Sequence, residues 1–310
     1  MTMAARLSKR TFLKSLVLSS LFSSRSVNAA LFSGLRQSPP VELADGKGLV
    51  FLFQGDSITD GNRGRNTDPN HIMGHGYAFA VASRIGADYP EKDFTFYNRG
   101  ISGNRVDNLQ KRWQEDTLAL KPDVLSLLVG INDTAAFVEK PTESAGLAAF
   151  ESGYRDLLTQ TKQQNPDTLF VLGLPFVYPV GKRAEKWELW RDDTTKRQAI
   201  IRTIATEFDA ILVDYPAVLD KAMAKKPAEY WIWDGIHPTV FAHELMAREW
   251  IRQVSHRLKF LRKIPLLAGW LIRLAPSWPT MSLSGPVVFC KFGVVNCRVR
   301  TVDTHLYRNQ

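Results

Sequence analysis

The sequence predicts an α/β fold built on a parallel sheet covered by helices on both faces. Three observations predict it. Short continuous apolar runs, such as Leu49-Val50-Phe51-Leu52-Phe53 and Val124 to Val129, end abruptly at turn residues, as strands buried on both faces do. Longer stretches with helical spacing alternate with these runs. The 310 residues suffice for one large domain, and they contain no internal repeat or low-complexity stretch.

The first thirty residues read as an export signal. Ser8-Lys9-Arg10-Thr11-Phe12-Leu13-Lys14 is a positive start, Ser15 to Phe22 an apolar core too short to span a bilayer, and Val27-Asn28-Ala29 a cleavage region of small residues. The string is twin-arginine-like, with Lys9 replacing the first arginine. The expected location is therefore periplasmic or extracellular.

Residues 31–48 read as a connector, and the first strand follows at Leu49. Residues 62–76 form a loop with His71 and His75, for which a surface role is favoured over a site. Helical spacing covers 77–87, a strand 94–97, a loop 100–103 and a helix 105–118. The third strand spans 124–129, a long helix 143–164, a fourth strand 169–172, a helix 192–208 and a fifth strand 210–213. A last helix spans 238–255, with Pro238 at its start, where proline is tolerated best.

The net charge of +9 belongs to the two ends. Residues 1–30 hold five basic residues and no acid, and residues 256–310 hold nine basic residues and Asp303, which leaves the middle at −4. A mildly acidic body argues against nucleic acid as a partner. Cys290 and Cys297 are the two cysteines, and their pairing is left open. No cysteine or histidine cluster has metal-site spacing, so no metal or cofactor is expected.

Polar clusters follow the strands. They are Gly55-Asp56-Ser57, then Arg99-Gly100-Ile101-Ser102-Gly103-Asn104, then Gly130-Ile131-Asn132-Asp133, and finally Asp234-Gly235-Ile236-His237-Pro238. A parallel sheet gathers these loops at one edge, where ligands bind in open α/β folds. Ser57, placed there, is either an N-cap or a nucleophile. Acyl transfer by a serine requires a base to take its proton, an acid to orient that base, and fixed donors for the developing oxyanion. His237 can be the base and Asp234 its orienting partner. The N–H groups of Ser57 and Gly103 and the amide of Asn132 can be the donors, although Asn132 could equally cap the following segment. Each piece alone is weak; their order and strand placement make the case.

GDSITDG, NRGISGN, GIND and DGIHP resemble the four sequence blocks of the SGNH (GDSL) hydrolase superfamily, in order and over roughly residues 45–255. The resemblance implies a flavodoxin-like three-layer α/β/α sandwich with a central five-stranded parallel sheet. It also implies a metal-free esterase site with Ser57 as nucleophile, Asp234 and His237 completing the triad, and Ser57, Gly103 and Asn132 forming the oxyanion hole. The G-x-S-x-G elbow of α/β-hydrolases is absent. NRGISGNRVDNLQKRWQED, LKPD and WDGIHPT are further similar to bacterial carbohydrate acetylesterases, including acetylxylan esterases. That likeness implies a small-molecule or polysaccharide ester as substrate. Trp233 and Trp231 are candidate substrate-binding residues, with Trp187 and Trp190 behind them; ordinary packing is the competing reading for each. Arg99 and Arg105 are read as structural, and Asp60 and Asp133 as braces of their own loops.

The expected organisation is thus a signal at 1–30, a catalytic domain at 31–256 and a basic tail at 257–310. In the tail, Ile264 to Leu274 is able to lie on an anionic membrane surface, although an extension without a role is the favoured reading. The leading function is deacetylation of a polysaccharide or oligosaccharide. The alternatives are a lysophospholipase or broad short-chain esterase, and a carbohydrate-binding protein on an inactive hydrolase fold. Homo-oligomerisation is left open.

Overall fold

The computed structural model describes residues 46–263. The expected export signal, the segment from Ile264 to Leu274 and the two cysteines lie outside the described residues.

Five strands alternate with helices: β1 (Val50–Gly55), α1 (Ser57–Asp60), α2 (Tyr77–Asp88), β2 (Thr95–Asn98), α3 (Val106–Asp116), β3 (Val124–Leu128), α4 (Ile131–Glu139), α5 (Gly146–Gln164), β4 (Leu169–Gly173), α6 (Trp187–Glu207), β5 (Ile211–Val213), α7 (Tyr215–Met223), α8 (Ala228–Trp231) and α9 (Val240–Val254). The strands pair in parallel, in the order β2-β1-β3-β4-β5.

Side chains alternate across a strand, so a strand covered on both sides must be apolar at every position. Phe51, Phe53, Val124, Leu128 and Val171 face one cluster, with Tyr77 and Val81 of α2, Leu219 of α7 and Met246 and Trp250 of α9. Leu52, Leu125, Leu127, Phe170 and Leu172 face the other, with Leu109 and Trp113 of α3, Tyr154 and Leu157 of α5, and Ile201 of α6. Two helical layers on one five-stranded sheet make the expected three-layer α/β/α sandwich. One polar tie crosses the first interface: the Trp250 indole N–H donates to Ser126 Oγ of β3 at 3.0 Å.

Three departures from the sequence reading have local causes. Residues 131–139 form a helix where only a turn is expected, because Ile131, Ala135 and Val138 bring a helical stripe onto the first cluster. Residues 215–223 form another, which Asp214 caps by accepting from the Ala217 N–H at 3.0 Å, with Pro216 in the first turn. Finally, the expected boundary at 256 falls inside packed chain. Leu258 and Leu261 are buried, the Phe260 ring stacks on Phe94 with centroids 5.7 Å apart, and the Tyr89 hydroxyl donates to the Phe260 carbonyl at 2.6 Å.

Candidate active site

β1 carries the chain to the carboxyl edge of the sheet and turns sharply into α1. Gly55, at the turn, has φ +154°, and a Cβ there would lie 2.1 Å from the Leu128 carbonyl oxygen. Only glycine lets β1 leave β3 this closely. The N-cap of α1 is Asp56, whose Oδ1 accepts from the Ile58 N–H at 3.0 Å. Capping therefore does not occupy Ser57, and its hydroxyl is free for another partner. Burial pushes the Asp56 carboxyl up to about 7, and its Oδ2 has no hydrogen-bond partner.

The second loop is laid against the first by main-chain bonds. Arg99 N–H donates to Phe53 O at 2.8 Å and Ile101 N–H to Gly55 O at 3.1 Å, which continues the β2–β1 pairing up to the Ser57 turn. Asn98, buried at the end of β2, donates through Nδ2 to the carbonyls of Thr59, Asp60 and Met73 and accepts from the Gly100 N–H. A turn then closes with Asn104 N–H on Ile101 O, and Gly103 occupies its third position at φ +81°. That is the position at which a type II turn requires a positive φ. A Cβ at Gly103 would meet nothing within 4 Å, so the residue borders open space. Among the described residues, neither the Ser57 N–H nor the Gly103 N–H donates to an acceptor.

The third loop opens α4. Asn132 Nδ2 donates to Asn104 O at 3.2 Å, which ties this loop to the second and leaves one amide hydrogen unused. Its neighbour Asp133 is buried, and burial pushes that carboxyl up to about 7 against the pull of Arg197 and the Val106 N–H. Arg197 is itself buried. It pairs with Asp193 at 2.7 Å and reaches the Asp133 carbonyl at 3.4 Å, locking α4 to α6.

The fourth cluster is the tip of a narrow hairpin. Ile232 and Pro238 form an antiparallel bridge, flanked by Thr239 N–H on Trp231 O and Trp233 N–H on His237 O. Inside the tip, Asp234 Oδ1 accepts from the N–H groups of Ile236 at 2.9 Å and His237 at 2.7 Å. Asp234 Oδ2 lies 2.7 Å from His237 Nδ1, and His237 Nε2 lies 2.8 Å from Ser57 Oγ. A carboxylate on Nδ1 holds the proton there, so Nε2 is the acceptor for the Ser57 hydroxyl. Partial burial raises the Asp234 carboxyl, but its bonds from the His237 ring and from the His237 and Ile236 N–H groups outweigh this and bring it to about 2. Tyr178 N–H donates to Gly235 O at 2.8 Å, so the chain after β4 anchors the tip.

The tryptophans separate. Trp233 is 63% exposed, and its ring stacks beside the His237 imidazole with centroids 6.0 Å apart and planes 24° apart. Trp231 packs partly buried on the core, and its indole N–H donates to Lys226 O at 3.2 Å. Trp190 is buried under the Arg183 guanidinium, and Trp187 packs against the same core. His71 and His75 are exposed. Arg105 sits at the N-cap position of α3 and pairs with Asp107, and Arg99 lies over the Tyr97 ring. Three contributors had no individual reading in the sequence. They are the Asp56 cap, the Asn98 brace, and His243, which accepts the Tyr77 N–H at 3.0 Å and is pushed by burial down to about 4. Asn98 and Asp56 do lie inside the sequence blocks, which was the available signal.

Comparison with known proteins bears on the family. The GDSL-like Lipase/Acylhydrolase family matches residues 53–245. An acetylxylan esterase from Geobacillus stearothermophilus is 31% identical over 68% of this chain and 95% of its own length. Among solved structures, a putative GDSL-like lipase from Parabacteroides merdae superposes with a TM-score of 0.63 at 35% identity, covering 69% of this chain and 96% of that one. The acetylxylan esterase Axe2 of Geobacillus stearothermophilus superposes with a TM-score of 0.60 at 31% identity, over 68% and 95% of the two chains. Catalytic mutants of Axe2 have a serine, an aspartate or a histidine replaced by alanine, the last two three positions apart. The chain is a carboxylic-ester hydrolase and belongs to the GDSL-like lipase/acylhydrolase family.

Proposed function

We propose that the protein is an exported serine esterase that removes acetyl groups from a polysaccharide or oligosaccharide. The observation that carries this is the continuous chain from Ser57 Oγ to His237 Nε2, at 2.8 Å, and from His237 Nδ1 to Asp234 Oδ2, at 2.7 Å. In the proposed mechanism His237 takes the Ser57 proton as the hydroxyl attacks the ester carbonyl. Asp234 holds the imidazole in the required tautomer and stabilises it once charged. The N–H groups of Ser57 and Gly103 and the free Asn132 amide hydrogen receive the negative charge that develops on the carbonyl oxygen. His237 then gives its proton to the departing sugar hydroxyl, and water, activated the same way, releases acetate from Ser57.

The substrate class draws support from two sides. A relative of 31% identity is an acetylxylan esterase, and the exposed Trp233 ring offers a flat apolar face beside the histidine that protonates the leaving sugar. The test is acetate release from acetylated xylan by the protein lacking residues 1–30. Rapid release is expected from the unaltered sequence, with Ser57→Ala reduced by about 10⁴-fold or more, as for other triad knockouts. Activity on a short acyl ester of a phenol, with none on xylan, would keep the mechanism but move the substrate to lipid or other esters. A protein that releases nothing, and whose Ser57 fails to react with a fluorophosphonate, would be a binding protein instead.

A further inference from the structure

We infer that Asp60 is a positioning residue that aims the Gly103 N–H, coupling the nucleophile turn to the oxyanion turn. The inference rests on the reading of Ser57, Gly103 and Asn132 proposed above. Asp60 ends α1, three residues after Ser57, and its side chain is 2% exposed. One oxygen, Oδ2, accepts from the Ser102 N–H at 3.0 Å and from the Ser102 hydroxyl at 3.1 Å. The remaining partners are Arg65, bonded to both oxygens at 3.0 and 2.7 Å, and the Arg63 N–H on Oδ1 at 3.1 Å.

Ser102 is the second residue of the turn whose third residue is Gly103. The Gly103 N–H belongs to the rigid peptide plane that begins at the Ser102 carbonyl carbon. Holding both the N–H and the hydroxyl of Ser102 on one carboxylate oxygen therefore fixes the base from which that plane is set. On the outer side of this turn Ser102 and Gly103 are exposed and the space around Gly103 is open, while Asn104, which closes the turn, is held separately by Arg112 Nε at 2.9 Å and by the Asn132 amide at 3.2 Å. The inner side is locked to the same segment by separate contacts that do not use the carboxylate. Asn98 Nδ2 bonds Asp60 O, Arg63 Nε donates to Gly100 O at 2.9 Å, and a Cβ on Gly100 would fall 2.4 Å from Asp60 N. The segment that carries Ser57 and the turn that carries Gly103 are thus joined on the inner side through main-chain atoms and at Ser102 through the buried Asp60 carboxylate.

Stabilisation of an oxyanion depends on donors already aimed at where the charge develops, and loss of one donor costs on the order of 10²–10³ in kcat. Asp60→Asn keeps the shape but sets an amide N–H₂ against donors. Hydrolysis of 4-nitrophenyl acetate is expected to lose on the order of 10–100-fold in kcat, with KM changed less than about 3-fold. Affinity for an alkyl boronic acid, whose Ser57 adduct mimics the oxyanion, falls by a similar factor. Ser102→Ala, which removes one of the two bonds from the other side, is expected to lose about 3–10-fold in kcat; it tests the inference even where Asp60→Asn does not fold. Arg65→Gln, which breaks the solvent-side ion pair alone, stays within about 3-fold.

The inference is overturned if folded Asp60→Asn keeps its kcat, if Ser102→Ala shows no loss, or if Arg65→Gln loses as much as Asp60→Asn. Those outcomes require an active wild-type protein and leave the esterase reading intact. A wild-type protein that hydrolyses no ester and ignores the boronic acid overturns the esterase reading, and this inference with it.

Discussion

Trp233 leaves most of its surface in water although its ring lies along the His237 imidazole. An aromatic side chain gains little from such a position unless a ligand covers it. The role proposed for it is therefore in binding and not in chemistry. Trp233→Ala is expected to raise KM for an acetylated xylo-oligosaccharide about 5–20-fold, the order of one lost aromatic contact, with kcat changed less than about 3-fold. Steady-state kinetics on that substrate and on 4-nitrophenyl acetate, whose KM should barely move, checks this. Equal losses on both substrates would instead assign Trp233 to holding His237. Asp234 shows the complementary case. Its two oxygens are used on the Ile236 and His237 N–H groups and on the His237 ring, so the tip of a short hairpin, anchored by Tyr178, orients the imidazole.

At the level of elements, the site depends on how α9 and β3 hold the sheet behind it. Trp250 of α9 is fully buried, and its indole N–H reaches Ser126, a polar residue inside an otherwise apolar strand. Removing the Ser126 hydroxyl leaves the Trp250 N–H buried and unpaired, which costs about 1–3 kcal/mol, whereas removing both costs less than the sum. Trp250→Phe, Ser126→Ala and the double variant, compared by urea unfolding, should therefore be non-additive by on the order of 1 kcal/mol. Additive losses would mean that packing alone holds the helix.

For the whole molecule, buried titratable groups set how stability depends on pH. Asp56 and Asp133 both sit near 7 in the fold, far above the ordinary carboxyl value of 3.8. Their contribution is fully present below pH 3.8 and is lost as pH rises through about 7. His243 works the other way. Its value near 4 lies below the ordinary 6.5, so its contribution is present above pH 6.5 and is lost as pH falls towards 4. Asp234, near 2, stabilises above pH 3.8 and ceases to as pH falls towards 2. Two carboxyls outweigh one imidazole between pH 4 and 7, so thermal stability should peak on the acid side, roughly pH 4–5, and decline towards neutrality. Asp56→Asn should flatten that decline in a melting-temperature series across pH 4–8. A maximum at pH 7 or above would contradict the burial of these two acids.

Much of this protein was legible in residue order. Apolar runs two faces deep, each ending in a polar block, specify a parallel sheet with its loops at one edge, because strand alternation and burial are local properties of the chain. The four blocks likewise named Ser57, Gly103, Asn132, Asp234 and His237. Tertiary structure decided what those residues touch. Whether Ser57 caps a helix or meets a base depended on Asp56 taking the cap and on a hairpin 180 residues away bringing His237 to 2.8 Å. Which tryptophan borders the site was decided the same way, since Trp231 and Trp233 are two apart on a hairpin and point to different surroundings. Asp60 read from sequence as a brace of its own loop, and only the fold shows it gripping Ser102. The helix at 131–139 was missed because its apolar stripe is short and begins inside a block that reads as a turn. Local patterning sets elements, whereas partners distant in sequence are set by packing, which no single stretch of chain encodes.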